Sequence, residues 1–159
     1  MTGVRRSALA LAAALAGCGY GFSAGAGRLP PGAGKVFVRP LENRTADADA
    51  GALVAAALRR ELARRGADAG PGAPAELVGE VRSAQATPAT PGAAVWRLTL
   101  AVSGRLLVGG RAAAEAEVSR SEDYLAGVDP LESEGRRRIA LRRAADAVAR
   151  ELVERLESP

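Results

Sequence analysis

The sequence contains no histidine and only one cysteine, Cys18. These absences exclude His-ligated metal sites, zinc fingers, Ser-His-Asp and Cys-His catalysis, and any intramolecular disulfide. Lysine is almost missing as well: 21 of the 22 basic residues are arginine, and Lys35 is the exception. With the heavy use of Ala and Gly, this reads as a composition bias, so a lone arginine carries little weight as a functional signal. Aromatic residues make up 3%, too few for stacking-based recognition of nucleic acid. No Gly-rich phosphate loop joins a strand to a helix at the required spacing. What remains is a 159-residue chain with 48% apolar and 25% charged residues. That is enough for one domain with a real core.

The N-terminus carries the compartment signal. Arg5 and Arg6 supply a positive start, and Ser7 to Ala16 form a ten-residue apolar run. A membrane-spanning helix needs about 20 apolar residues, so this run fits a cleaved leader instead. It ends Leu15-Ala16-Gly17-Cys18. Small residues before a scissile bond and a cysteine directly after it match the bacterial lipobox. The expectation is therefore a signal peptide over 1–17, with Leu15, Ala16 and Gly17 recognised by the signal peptidase. Cys18 would then carry a covalent diacylglycerol and an N-acyl lipid, and no other cofactor or metal is expected. Removing the leader leaves 142 residues and lowers the formal net charge from +4 to +2, because Arg5 and Arg6 go with it. Several acyl chains form a stable anchor where one would not. Gly19 follows the cysteine, where Asp signals retention at the inner membrane in enterobacterial-type lipoproteins, so the outer membrane is expected. Residues 18–34 read as a lipidated N-terminus and a short Gly/Pro/Ala-rich tether. Its sixteen residues after Cys18 reach at most about 55 Å extended and about 20–24 Å as a coil. The domain over 35–159 is thus held close to its membrane.

Within that domain, Lys35 to Arg39 reads as a first strand closed by Pro40. Residues 41–50 carry cap chemistry, with Asp47 or Asp49 as N-cap. Val54, Leu58 and Leu62 form a helical stripe that Gly66 ends. Residues 67–74 read as a loop. Leu77, Gly79 and Val81 alternate with charged residues as a second strand, and 84–92 reads as a connection. Trp96, Leu98, Leu100 and Val102 face one way on a third strand, while Arg97, Thr99, Ser103 and Arg105 face the other. Gly109-Gly110 marks a hairpin. A fourth strand puts Ala112, Ala114, Ala116 and Val118 inward. A two-residue turn at 109–110 would pair even positions with odd ones, so matching the two inward faces demands a bulge or an odd-length loop near Leu106–Arg111. A loop over 124–130 leads to a long helix from about Leu131 to Leu156, with Leu141, Ala145, Val148, Leu152 and Leu156 as its apolar stripe. The order β-α-β-β-β-α predicts an α+β two-layer domain, a four-stranded mixed sheet packed on two helices.

No constellation looks catalytic. Glu115 and Glu117 read as a solvated pair, and Asp47 and Asp49 as cap or loop residues. Arg136, Arg137, Arg138, Arg142 and Arg143 place five guanidiniums within eight residues. They suit either phosphate binding or a solvated helix face laced with carboxylates. Arg97 and Arg105 on the outer strand face, with Arg111 in the hairpin, form a rival patch. It suits an anionic amphiphile or the ordinary polar side of a sheet.

CGYGF at 18–22, LP at 29–30, VFVRPLENRT at 36–45 and LARRG at 62–66 appear in an order that resembles the LptE-type lipopolysaccharide-assembly lipoproteins. SEDYL at 121–125 and DPLESEGRRRIAL at 129–141 extend the likeness over the whole mature chain. The resemblance implies a four-stranded sheet with two helices and a non-enzymatic role. Its implied partner is an LptD-like outer-membrane β-barrel, which it plugs and helps to assemble, with lipopolysaccharide as a ligand in export. The implied location is the outer membrane, facing the periplasm or inside the barrel lumen. Only Cys18 transfers as a functional position. Arg97, Arg105 and Arg111 are lipopolysaccharide-contact candidates on strand-face grounds alone. The V-x-V-x-P-x-x-N-R-T pattern also resembles lipoprotein activators of peptidoglycan synthases. Those need a long tether to cross the periplasm, and this one is short.

Overall fold

A computed structural model describes residues 28–92 and 94–157. The chain enters the fold before Lys35: Leu29 packs against the core and Ala33 is fully buried. Strand β1 (Val36–Val38) buries both valines, and Pro40 then interrupts it. The chain resumes as β2 (Glu42–Asn43). Both run parallel to β4 (Ala75–Pro88), so they act as one strand broken at the proline. Between them and β4 lie helix α1 (Ala50–Arg64) and the two-residue strand β3 (Asp68–Ala69). Strands β5 (Val95–Val108) and β6 (Arg111–Leu125) continue the sheet antiparallel to β4, and helix α2 (Pro130–Glu157) closes the chain. The sheet order is β3-β1-β4-β5-β6, with β2 also on β4.

The fold is the expected two-layer α+β arrangement, a mixed sheet carrying both helices on one face. The sheet has six strands rather than four, because two-residue pieces at 42–43 and 68–69 add themselves to the edge. Two connections are also strand. Residues 84–88 belong to β4, and Tyr124 and Leu125 belong to β6. At about 3.3 Å per residue, each long strand measures about 45 Å.

Alternation explains the core. Leu98, Leu100, Val102 and Leu106 of β5 point inward with Val118 of β6, and all are buried. The bulge that face matching demands is present. Gly109 and Gly110, with φ of 56° and 79°, make the two-residue turn, which both positions accept only with positive φ. Ala113 is then the extra residue, since Leu107 pairs with Ala112 while Leu106 pairs with Ala114. A second bulge at Arg82 shifts β4 in the same way, from Leu77 and Val81 inward to Ala84 and Ala86 inward.

The helices run parallel to one another, and ion pairs climb in step along them. Asp49 meets Arg138 at 3.4 Å, Arg60 meets Asp146 at 2.8 Å, and Arg65 meets Glu157 at 2.5 Å. Gly66 ends α1 with φ of 70°, and the Ala67 amide donates back to the Leu62 carbonyl at 2.8 Å, a left-handed helix stop. Asp49 holds the N-cap position, but its carboxylate makes no capping hydrogen bond. The Asp49 amide instead donates to the Asp47 carboxylate at 3.1 Å.

Candidate functional site

Leu15, Ala16, Gly17 and Cys18 lie outside the described residues. Where the chain enters the fold is nevertheless defined. Gly32 sits against Val108, and the Lys35 ammonium donates to the Gly66 carbonyl at 2.8 Å. The lead-in therefore joins at the end of the sheet that holds the Gly109–Gly110 turn.

Arg97 and Arg105 both lie on the open sheet face, as alternation predicts. They do not form one patch, being eight residues apart on a single strand, about 26 Å. Each also has a cross-strand carboxylate. Arg97 grips Asp123 through two bonds of 2.7 and 2.9 Å, and Arg105 meets Glu115 at 3.3 and 3.4 Å. The guanidinium of Arg97 holds Asp123 below the usual carboxylate range. Arg111 is exposed at the far turn, beside the end of β5. The open face therefore neutralises itself rung by rung.

The arginine run on α2 divides into two groups. Arg136 bonds Glu132 at 2.5 Å and the Ala126 carbonyl at 3.1 Å. Arg137 is clamped between Glu134 and Asp47, each at 2.8 Å, which raises its pKa above the ordinary value. Arg138 lies 3.4 Å from Asp49. Arg142 and Arg143 are exposed and have no acidic partner among the described residues.

The surface that the periodicity of α2 does not explain lies at the opposite end from the turn, where β6 passes into α2. Leu125, Val128, Leu131 and Ile139 are exposed there, Val128 almost completely. A cleft of about 400 Å³ runs among Tyr124, Leu125, Ile139, Arg136 and Arg143. A second, of about 300 Å³, lies between Trp96, Tyr124 and Pro130. Tyr124 lines both, and burial pushes its phenol above the ordinary pKa. The connection is built tightly. A side chain on Gly127 would come within 2.6 Å of Glu132 and of the Ser133 amide. Asp129 caps α2 by accepting from the Glu132 amide at 2.9 Å, with Pro130 in the first helical turn, a favoured pairing. Glu132 in turn accepts from the Val128 amide at 2.8 Å. That bond and Arg136 lower its pKa. Replacing Asp129 with Ala is expected to cost about 1 kcal/mol in urea unfolding. Amides over 131–136 should exchange faster, and unchanged exchange there would refute the capping role.

A sequence pattern could have pointed to this end. Leu125, Val128, Leu131 and Ile139 are apolar residues outside the Leu141–Leu156 stripe, in a stretch otherwise rich in charge. Nothing in either cleft resembles a nucleophile with its base, and no cluster of metal-ligating side chains occurs among the described residues.

The described residues form a small two-layer α+β domain with a self-neutralised sheet face and an apolar, arginine-edged end. The particular family is shown by its sequence model, LptE: lipopolysaccharide-assembly, which matches residues 33–156. The chain belongs to that family, a non-enzymatic group of assembly lipoproteins. No curated protein matches the sequence. Among solved structures, the fold is similar to a Caulobacter crescentus protein described as a lipoprotein, at 23% identity and a TM-score of 0.65 over 80% of this chain and 91% of that one. It is also similar to the rare lipoprotein B of Shewanella oneidensis, at 14% identity and a TM-score of 0.54 over 74% and 91%. A third is PelC of Paraburkholderia phytofirmans, solved as a dodecamer, at 19% identity and a TM-score of 0.57 over 78% and 86%.

Proposed function

We propose that this protein is an outer-membrane lipoprotein, cleaved after Gly17 and acylated on Cys18. It seats in or on an LptD-type β-barrel and offers its Tyr124–Ile139 end to lipopolysaccharide. The observation that carries this reading is the pairing of exposed apolar side chains with arginine at that end. A phosphorylated, acylated lipid has two chemically distinct parts. Leu125, Val128, Leu131 and Ile139 suit its chains, and a guanidinium such as Arg143 suits its phosphates. Arg97 reaches the rim of the same cleft through Asp123, whereas Arg105 and Arg111 lie toward the opposite end. A domain about 45 Å long is also long enough to occupy a barrel lumen.

Two measurements test the reading. The full-length acylated protein with Leu125→Ser, Ile139→Ser and Arg143→Ser should bind lipopolysaccharide about tenfold more weakly, a change of about 1.4 kcal/mol. Arg97→Glu with Arg105→Glu serves as the comparison. If that pair loses binding and the triple variant does not, the contact lies on the open sheet face instead. Pull-down from detergent-solubilised outer membranes should recover a large β-barrel. Recovery of a penicillin-binding protein would replace this reading with activation of a peptidoglycan synthase.

A further inference from the structure

The helical layer has an outer face beyond the Tyr124–Ile139 cleft and its Arg143. On α1, Ala52, Arg59, Arg60 and Ala63 are exposed, and on α2, Arg142 and Arg150 are exposed. The exposed acids along the helices are engaged: Asp49 meets Arg138 at 3.4 Å, Asp146 pairs with Arg60 at 2.8 Å, and Glu154 faces Arg65 at 3.8 Å. Arg59, Arg142 and Arg150 have no acidic partner among the described residues. Small side chains lie between them, with Ala52 and Ala63 exposed on α1. The open sheet face is the reverse. There Arg82, Arg97 and Arg105 are matched by Glu80, Glu117, Asp123 and Glu115.

We infer that the basic helical face rests on the anionic phospholipid leaflet to which the protein is anchored. The inference takes only the acyl anchor from the preceding section. Charge selects the side, since the helical layer carries unmatched arginines and the sheet face carries none of comparable excess. Arginines near an anionic leaflet are attracted individually and additively, and the attraction is screened by salt. The anchor makes weak attraction sufficient, because the tether holds the domain at high local concentration beside the bilayer. The geometry allows it. Lys35 is fixed to the end of α1 and Gly32 sits against Val108, so the lead-in joins at one end of the domain, within reach of the helical layer. An acidic protein surface would meet the same charge, but no tether holds one beside this face as the anchor holds the leaflet.

The test uses the full acylated protein in protein-free vesicles. Acylation blocks the Cys18 sulfur, so a cysteine introduced as Ala63→Cys is the one labelling site. An environment-sensitive fluorophore there should shift to the blue in vesicles of one-third phosphatidylglycerol and stay unshifted in pure phosphatidylcholine. The shift should vanish at about 0.5 M salt, where screening is nearly complete, and in Arg59→Ser/Arg142→Ser/Arg150→Ser. The same fluorophore at Ser119→Cys, on the open sheet face, should remain aqueous throughout. No shift at position 63, an equal shift in both lipids, or a shift at 119 instead would overturn the inference. So would a shift seen only in native outer-membrane vesicles, which would point to an acidic protein partner. Labelling of the unsubstituted protein would break the anchor reading separately.

Discussion

Gly79→Ala is expected to destabilise the domain by about 3 kcal/mol, the upper range for forcing atoms into a packed interior. The reason is backbone, not side chain. Gly79 of β4 stands directly across the ladder from Gly104 of β5. A Cβ at position 79 would lie 2.3 Å from the Ser103 carbonyl oxygen and 3.2 Å from the Gly104 Cα. Neither atom can swing aside, so the two central strands would have to part. Gly104→Ala makes the comparison. Its Cβ would meet a Leu152 methyl at 2.8 Å, the end of a side chain that can rotate, so its cost should be nearer 1 kcal/mol. Urea unfolding of both variants measures the difference. Equal costs would mean that β4 and β5 are less tightly registered than their pairing implies. The pair explains how α2 comes so close to the sheet, since Leu152 drops into the space that Gly104 leaves open.

That glycine pair also marks where sequence patterning stops being informative. Alternation identified the inward face of β5 and, through parity, the bulge that carries Ala114 and Val118 to the same side. The same arithmetic, taken one step further, pairs Arg97 with Asp123 and Arg105 with Glu115. The self-neutralised open face was therefore legible once the register was known. The second half of β4 was not. The Arg82 bulge switches its inward positions from odd to even, and the Thr and Pro residues that follow imitate a turn. Strands β2 and β3 are two residues each, set among loop-forming Asn, Thr, Asp and Gly, and they exist because a longer neighbour supplies the hydrogen bonds. At the candidate site, the charged run SEDYL masked a strand end, because an edge strand beside open solvent tolerates charge on its outer positions. The exposed leucines and isoleucine of that end had no periodicity to announce them. Only the folded connection brings Leu125 and Ile139 into one cleft beside Tyr124.

Arg65→Met should cost about 3 kcal/mol at neutral pH, at the lower end for breaking a buried ion pair. Arg65 is largely enclosed and holds two carboxylates that are more enclosed still. One is Glu61 at 2.8 Å and the other is Glu157 at 2.5 Å. The cluster ties the ends of the two parallel helices together, so the loss is felt by the whole helical layer. Glu61 keeps Arg64 as a second partner, which holds the cost at the lower end. The pH dependence separates this ion-pair role from simple packing. Burial alone would raise the pKa of Glu61, but hydrogen bonds and charge from Arg65 and Arg64 outweigh it and lower the pKa. A carboxyl whose folded pKa is depressed stabilises the protein above its unfolded pKa, about 4.3, and loses that contribution as pH falls through the folded value. The gap between the parent and Arg65→Met should therefore be widest near pH 7 and narrow steadily below about pH 4, where a protonated Glu61 no longer needs the guanidinium. Urea unfolding of the full chain at about pH 7 and about pH 3 measures it. A gap of the same size at both would assign Arg65 to packing of its aliphatic stem, with the charges as bystanders.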